Sequence, residues 1–90
     1  KPIETGVVDS PLDATLLFKE VKIYNNLFHN LNINDIVPYQ FSLPASPFVA
    51  KKNTNIDIKI INKAIQKLET YCDILIIEGA GGLMVPINKN

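Results

Sequence analysis

Four consecutive aliphatic residues at positions 74–77 constrain the fold of this chain more than any other feature. The run reads Ile-Leu-Ile-Ile, follows Asp73, and leads through Glu78 into Gly-Ala-Gly-Gly at positions 79–82. A short apolar run that ends in glycines is typical of a strand buried on both faces, as in a parallel sheet. We therefore expect residues 74–77 to form a central parallel strand.

Two amphipathic helix patterns accompany this strand. In the first, Ser10 is the predicted N-cap, Pro11 the first helical residue and Asp13 the third residue after the cap. Its apolar face runs to position 31 and comprises Leu17, Val21, Tyr24, Leu27, Phe28 and Leu31. The second pattern spans residues 57–72, with an apolar stripe of Ile61, Ala64, Ile65, Leu68 and Cys72. Helices packed on a parallel sheet define the α/β class, which we expect here.

The region between the helices is predicted to be short and irregular. Residues 35–41 contain strand formers, but Pro38 among them favours an edge or irregular strand. Pro44 and Pro47 then indicate a stiff loop. Ser46 is predicted to cap a short helical turn that begins at Pro47, with contact to a ligand as the alternative role for Ser46.

Composition excludes several classes of protein. Nine Lys and Arg balance nine Asp and Glu, so no basic surface for nucleic acid is indicated. The apolar runs are far shorter than the roughly 20 residues of a membrane span. Cys72 and His29 stand alone, which excludes an internal disulfide and a zinc cluster. We interpret Cys72 as a core residue and His29 as a surface residue, and we expect a cytoplasmic protein.

A few residues could carry chemistry, and each also has a structural interpretation. Glu78, at the carboxyl end of a buried parallel strand and beside glycines, could hold Mg²⁺ near a phosphate, or could be a solvated side chain in a turn. Lys1, ahead of a turn with Thr5 and Gly6, could hold an anion or only begin a surface turn. Asp13 could contact a ligand, but its position relative to the predicted cap favours a structural role.

Three short motifs at both ends and in the middle of the chain follow a family pattern. Residues 1–6 read Lys-Pro-Ile-Glu-Thr-Gly, residues 38–47 read Pro-Tyr-Gln-Phe-Ser-Leu-Pro-Ala-Ser-Pro, and residues 77–87 contain Glu-Gly-Ala-Gly-Gly followed by Val-Pro. They resemble the Lys-Pro-x-x-[Ser/Thr]-Gly, Pro-Tyr-x-Phe-x-x-Pro-x-Ser-Pro and Glu-Gly-Ala-Gly-Gly motifs of the dethiobiotin synthetase family. The three motifs occur in the family's order with suitable gaps.

The resemblance implies a fold and an activity. The fold would be part of a P-loop NTPase-like three-layer α/β/α arrangement with a mainly parallel sheet. The implied enzyme adds CO2 to 7,8-diaminononanoate as a carbamate, phosphorylates the carbamate with ATP, and closes the ureido ring with release of phosphate. Lys1 matches the family's catalytic lysine, and Thr5 matches its substrate-contacting hydroxyl position. The resemblance also implies Mg²⁺, a homodimer, and no nucleic-acid or membrane partner.

The remaining site residues are carried over in the same way. Asp13 and Glu78 match the two acids that hold Mg²⁺ and ATP. Gly79, Ala80 and Gly81 match the adjoining loop that contacts the nucleotide. Phosphoryl transfer depends mainly on positioning and on neutralising charge with lysine and Mg²⁺, which agrees with this set of side chains.

One family motif is absent from the sequence. No Gly-x-x-x-x-Gly-Lys-[Ser/Thr] phosphate-binding loop occurs in the 90 residues. We therefore interpret residues 1–90 as the middle portion of a single, longer domain, and we expect this stretch alone to be inactive. Two alternatives remain at this point: an amidoligase related to the cobyrinic and cobyric acid synthases, and a non-catalytic module of the dethiobiotin synthetase type.

Overall fold

Two short strands and four α-helices form the part of the chain described by the computed structural model, residues 1–80. β1 (Ile3–Glu4) pairs in parallel with β2 (Tyr39–Gln40), with Ile3 opposite Tyr39. A parallel pair requires a crossover connection, and helices supply it here. The α/β class and the parallel strand pairing predicted from the sequence are confirmed.

The helices lie on both sides of β2 in the sequence. α1 (Leu12–Tyr24), a 3₁₀ helix (Asn26–Asn30) and α2 (Ile33–Ile36) connect β1 to β2. α3 (Pro47–Ala50) and α4 (Ile58–Glu69) follow β2. Side-chain oxygens cap the starts of the 3₁₀ helix, α2 and α4 by accepting hydrogen bonds from backbone N–H groups, as short polar residues do at helix N-termini; they belong to Asn25, Asn32 and Asp57.

The core consists of two apolar clusters. The larger joins α1, the 3₁₀ helix, α2 and α4 and is made of Ala14, Phe18, Phe28, Leu31, Ile36, Val37 and Leu68. The smaller lies beside the strands and is made of Ile3, Ile56 and Ile61. Tyr39 and Phe41 stack on each other at its edge, with ring centroids 6.1 Å apart. The Tyr39 hydroxyl accepts a hydrogen bond of 2.8 Å from the Asp57 N–H, which fixes the start of α4 against β2.

Residues 74–77 do not form the predicted central strand. They have no regular secondary structure and do not pair with β1 or β2, and Ile74 and Ile76 are 81% and 86% exposed. Leu75 alone of the four packs against the larger cluster. β-propensity shows which residues suit a pleated, covered surface, but a strand forms only where other strands offer their backbone groups. The described residues offer none at this place.

α1 also begins and ends differently from the prediction. Its N-cap is Pro11 rather than Ser10, so the expected capping box between Ser10 and Asp13 does not form. The helix ends at Tyr24 because Asn25 has an extended backbone and its side-chain amide donates a hydrogen bond of 2.8 Å to the Tyr71 carbonyl.

The break at Asn25 changes which residues of this region are buried. Of the predicted apolar face, Phe28 and Leu31 are buried, whereas Tyr24 and Leu27 are exposed. Ala14 and Phe18 occupy the inner positions of α1 instead. A single helical period cannot describe two helical segments that differ in direction, so the predicted face was wrong in its first half.

The other elements follow the predictions in part. Residues 35–41 form the end of α2 and only two strand residues, because a capping box between Asn32 and Asp35 favours the helix. Ser46 is the N-cap of α3 as predicted, although its backbone carbonyl rather than its side chain accepts the hydrogen bonds from Val49 and Ala50. The second helix is shorter than residues 57–72, with Ile61 and Leu68 buried as expected.

The single histidine and the single cysteine lie close to their expected places. His29 is exposed at the surface. Cys72 is a free thiol that is half-buried against the larger cluster. Over residues 1–80, no helix is long and apolar enough to cross a membrane.

Candidate active site

Lys1 is the centre of the candidate active site, because two carboxylates converge on its ammonium group. Nζ of Lys1 lies 3.0 Å from Oδ2 of Asp13 and 3.5 Å from Oε1 of Glu78. The Lys1 side chain is only 8% exposed, whereas those of Asp13 and Glu78 are 59% and 58% exposed. The structure thus brings together three of the predicted site residues, as a buried cation with two accessible anions.

Each of the three side chains is delivered by a different part of the fold. Lys1 lies two residues ahead of β1, and Asp13 is the second residue of α1. Glu78 lies in the segment after α4 (residues 70–80), in which Leu75 packs against the larger cluster and Ala80 against the smaller one. The segment is therefore held on both sides of Glu78, which compensates for the absence of the predicted strand.

The two carboxylates keep Lys1 in its cationic form. Burial lowers the pKa of the Lys1 ammonium, since an apolar environment disfavours charge. The hydrogen bond and charge of Asp13, together with the charge of Glu78, outweigh this effect, so that the pKa of Lys1 lies above its ordinary value. The site therefore holds a fixed positive charge at neutral pH.

Glu4 supports this arrangement by holding the first turn of α1. Its side chain is 5% exposed, and its carboxylate accepts hydrogen bonds from the backbone N–H groups of Asp13 (3.2 Å) and Ala14 (2.9 Å). These are the second and third residues of α1, so Glu4 acts as the helix cap that Pro11 cannot supply. Its negative charge is also favourable at the positive end of the helix dipole.

The remaining predicted site residues lie around this cluster. Thr5 is half-buried directly after β1 and makes none of the contacts that join Lys1, Asp13 and Glu78. Gly79 is exposed and would meet no atom within 4 Å if it carried a Cβ. Ala80 packs against the smaller cluster. Gly81, with positions 82–87 of the third motif, lies outside the described residues.

Gly6 shapes the turn that follows β1. Its φ of 70° is in the left-handed region, which glycine adopts without strain. A Cβ at this position would also lie 3.4 Å from Cβ of Pro44. The first and second motifs of the sequence therefore meet here, since Gly6 belongs to one and Pro44 to the other.

An apolar cleft opens beside the ammonium of Lys1. Its volume is about 440 Å³, and it lies between α1, α4 and the segment after α4. Phe18, Leu68 and Ile76 line its walls, and Glu78 lies at its edge with Lys1. The charged cluster is therefore open to a bound molecule on one side.

The donor set at the cluster suits magnesium. Mg²⁺ prefers oxygen ligands and is usually held by one or two carboxylates together with substrate phosphates and water. Asp13 and Glu78 supply two accessible carboxylates. Among residues 1–80, no three His, Cys, Asp or Glu side chains gather into a site for a metal held by protein groups alone. The arrangement fits an ion that arrives with phosphates.

Comparison with known proteins gives the family. A family model described as "AAA domain" matches residues 1–90. The chain belongs to the AAA domain family. The α/β architecture and parallel strand pairing of this AAA domain agree with that assignment.

Curated relatives extend the comparison. The AAA domain is 49% identical over 90 residues to the ATP-dependent dethiobiotin synthetase BioD of Sulfurovum sp. (strain NBC37-1), covering 100% of this chain and 43% of the relative. It is 37% identical to the proteins of the same name from Aquifex aeolicus and Wolinella succinogenes, of which it covers 38% and 42%. The resemblance to dethiobiotin synthetases is confirmed. The chain spans about two-fifths of the length of these relatives.

Sequence reasoning missed one important residue of this AAA domain. Glu4 occupies a variable position of the first motif, and its distance of nine and ten residues from the groups it caps hides it from local capping rules. One signal was available: Glu4 lies between apolar Ile3 and a glycine turn, where a buried acidic side chain needs hydrogen-bond donors.

Proposed function

We propose that this chain is part of an ATP-dependent dethiobiotin synthetase. The enzyme would join CO2 to 7,8-diaminononanoate and close the ureido ring with ATP, giving dethiobiotin, ADP and phosphate. The observation that carries the proposal is the buried Lys1 ammonium, 3.0 Å from Asp13 and 3.5 Å from Glu78. Relatives that bear this name and match the whole chain support it. The activity belongs to a protein of the relatives' full length.

Lys1 is the catalytic residue in this proposal. Carbamate formation and phosphoryl transfer both concentrate negative charge on oxygen atoms. A fixed ammonium stabilises that charge without reorganising during the reaction. The raised pKa of Lys1 supports the role, because it keeps the group cationic at neutral pH.

Asp13 and Glu78 are the proposed acids for Mg²⁺ and ATP. Both carboxylates are more than half exposed, so an ion that arrives with nucleotide can reach them. When bound, Mg²⁺ neutralises charge on the phosphates. The two side chains would hold the ion, while their common contact with Lys1 keeps them on the same side of the site.

Four further residues complete the proposed site. We assign Thr5, the half-buried residue directly after β1, to contact with the diamine. Gly79, Ala80 and Gly81 are assigned to the nucleotide. The open space around Gly79 supports its assignment, because a ligand can approach the backbone there. Ala80 anchors the same stretch against the core.

The proposed setting is the cytoplasm, and the proposed assembly is a homodimer that binds small molecules only. Light scattering on the full-length protein should give twice the mass of one chain, and a monomeric mass would contradict the assignment.

The function is tested by phosphate release. The full-length protein is supplied with Mg·ATP, bicarbonate and 7,8-diaminononanoate, and phosphate is measured with dethiobiotin by mass spectrometry. We expect release that depends on the diamine and equals the dethiobiotin formed. Release that depends instead on glutamine and a corrin substrate would favour the amidoligase alternative. Tight binding without turnover of any of these substrates would favour a non-catalytic module.

The metal assignment is tested separately with Glu78→Gln in the full-length protein. We expect the Mg²⁺ concentration for half-maximal rate to rise by about tenfold or more, because a coordinating charge is lost, with little change in the KM for the diamine. Glu69→Gln, an exposed site at the end of α4, is the matched control. An unchanged magnesium dependence in Glu78→Gln would remove Glu78 from the metal site.

A further inference from the structure

Glu4 has no role in the reaction proposed above, although its charged side chain is buried. We propose that Glu4 is a positioning residue for phosphoryl transfer: it sets the location of Asp13 relative to Lys1. The inference rests on the proposed function. Glu4 acts through the backbone of α1 and does not touch the substrates.

The geometry joins Asp13 to the rest of the site at two points. Its backbone N–H donates to Oε2 of Glu4 at 3.2 Å, and its carboxylate contacts the Lys1 ammonium at 3.0 Å. Glu4 and Lys1 lie three positions apart in the same stretch, which β1 fixes against β2. The stretch that contains β1 therefore holds Asp13 by its backbone N–H and by its carboxylate.

The Glu4 carboxylate holds α1 by two hydrogen bonds rather than one. Oε1 accepts from Ala14 N–H at 2.9 Å while Oε2 accepts from Asp13 N–H. Two bonds from the oxygens of one planar group fix both the distance and the rotation of the first helical turn. The rotation decides where the side chain at position 13 points, since successive helical residues differ by about 100°.

An N-cap residue next to α1 would stabilise the helix but would not fix the position of Asp13 relative to Lys1. An N-cap serine at position 10 or 11 would satisfy the same N–H groups, but it would move together with α1. Glu4 belongs to the strand, so it ties α1 to the element that carries Lys1. Loss of the tie lets the carboxylate of Asp13 shift, and a displacement of about 1 Å in an active site can cost roughly a hundredfold in rate.

The test is a double-mutant cycle in the full-length protein, with diamine-dependent phosphate release as the activity. We expect Glu4→Ala to lower kcat by about tenfold to a hundredfold and to raise the Mg²⁺ concentration for half-maximal rate. Glu4→Gln keeps one acceptor oxygen but sets an amide NH2 against the other backbone N–H, so it should recover only part of the loss. In an Asp13→Asn background, Glu4→Ala should cost less than about threefold, because the group it positions is already lost. Glu20→Ala, at an exposed site on α1, controls for the substitution itself.

The possible results distinguish a failure of the positioning role of Glu4 from a failure of the proposed function. All rates are taken well below the melting temperature of each variant, so that a destabilised helix is not read as a catalytic defect. If the unmodified protein turns over but Glu4→Ala matches it, or loses the same factor with and without Asp13, Glu4 is only structural and the inference fails. If the unmodified protein releases no diamine-dependent phosphate, the proposed function fails and the inference falls with it.

Discussion

At the scale of single residues, Lys1 combines near-complete burial with two carboxylate partners. Burial alone favours the neutral amine, whereas the partners restore the cation and raise the pKa above its ordinary value. The charge is held in place before any substrate arrives. Charge that needs no reorganisation is the most effective kind for stabilising a transition state.

Replacement of Lys1 tests this role directly. Lys1→Gln in the full-length protein should lower turnover by about a hundredfold or more, which is ~2.7 kcal/mol of barrier, because the lost contact is strongest in the transition state. Lys1→Arg should restore little, since a planar guanidinium does not replace a compact ammonium. Phosphate release under saturating substrates measures both variants.

The control for this experiment lies on α1. Lys19→Gln removes an exposed lysine and should leave turnover unchanged. Asp13 and Glu78 are more than half exposed, so the loss of their partner should cost little stability. A fully active Lys1→Gln protein would show that the ammonium has no part in the chemistry.

For the candidate site, sequence could single out three residues that lie together in space, but not the reason for their arrangement. Lys1 and Glu78 stand out through their motifs, and Asp13 through its match to a family acid after the first motif. Asp13 was interpreted as a capping partner of Ser10 because capping rules consider only neighbours along the chain. The actual cap, Glu4, comes from the preceding strand, and only the fold brings it to α1.

At the scale of secondary-structure elements, Asp35 ties α2 to α4. Its Oδ2 accepts a hydrogen bond of 2.9 Å from the Asn32 N–H, which completes the capping box of α2. Its Oδ1 lies 2.7 Å from Nζ of Lys67 on α4. One largely buried carboxylate thus serves both a helix start and an inter-helix contact.

The stability contributed by Asp35 should depend on pH. The Asn32 N–H and the Lys67 ammonium hold the pKa of Asp35 below its ordinary value. A lowered pKa means that the folded state binds the proton less readily than the unfolded state, so the contribution is complete above about pH 4 and is lost as pH falls through the folded-state pKa. Asp35→Asn should lower the free energy of unfolding by about 1 kcal/mol at neutral pH.

Urea unfolding over a range of pH measures this effect. The difference between the unmodified protein and Asp35→Asn should shrink as the pH is lowered below about 4, because both then lack the negative charge. Asp9→Asn changes an exposed aspartate ahead of α1 and should show a small difference with no such trend. A constant difference for Asp35→Asn from neutral to acid pH would contradict the role of its charge.

Helices and strands differed in how far the sequence predicted them. α4 has its cap, Asp57, and its buried stripe within one short stretch, so local rules found it to within a few residues. β1 and β2 are two residues each and are defined by their pairing, for which a sequence of this kind contains no periodic signal. Residues 74–77 showed the opposite problem: a strong strand pattern whose partners are not among the described residues.

At the scale of the whole molecule, the segment after α4 (residues 70–80) connects the two apolar clusters. Leu75 packs against the larger and Ala80 against the smaller. Glu78 lies between these anchors, so its approach to Lys1 depends on both clusters rather than on one helix or strand. The same segment forms one wall of the cleft beside Lys1, where Ile76 is 86% exposed.

Exposure of this segment has a consequence for the behaviour of the chain in concentrated solution. Ile74, Ile76 and Ile77 are 81%, 86% and 51% exposed, on backbone that pairs with neither β1 nor β2. Such a stretch is a template for intermolecular β-pairing, and short uncharged segments rich in isoleucine are prone to form amyloid-like fibrils. The isolated 90-residue chain should therefore aggregate, with thioflavin T fluorescence rising after a lag.

A single charge in the segment should act as a gatekeeper against this aggregation. Ile76→Lys should lengthen the lag severalfold, because stacked strands would place like charges side by side. Ile60→Lys, an equal change at a half-exposed position on α4, should lengthen it far less. Equal lags for the two variants would place the nucleus of aggregation elsewhere. In that case the exposed run beside the candidate active site would not nucleate aggregation. The expected result would instead mean that residues 74–77 must be covered during folding if the chain is to stay in solution.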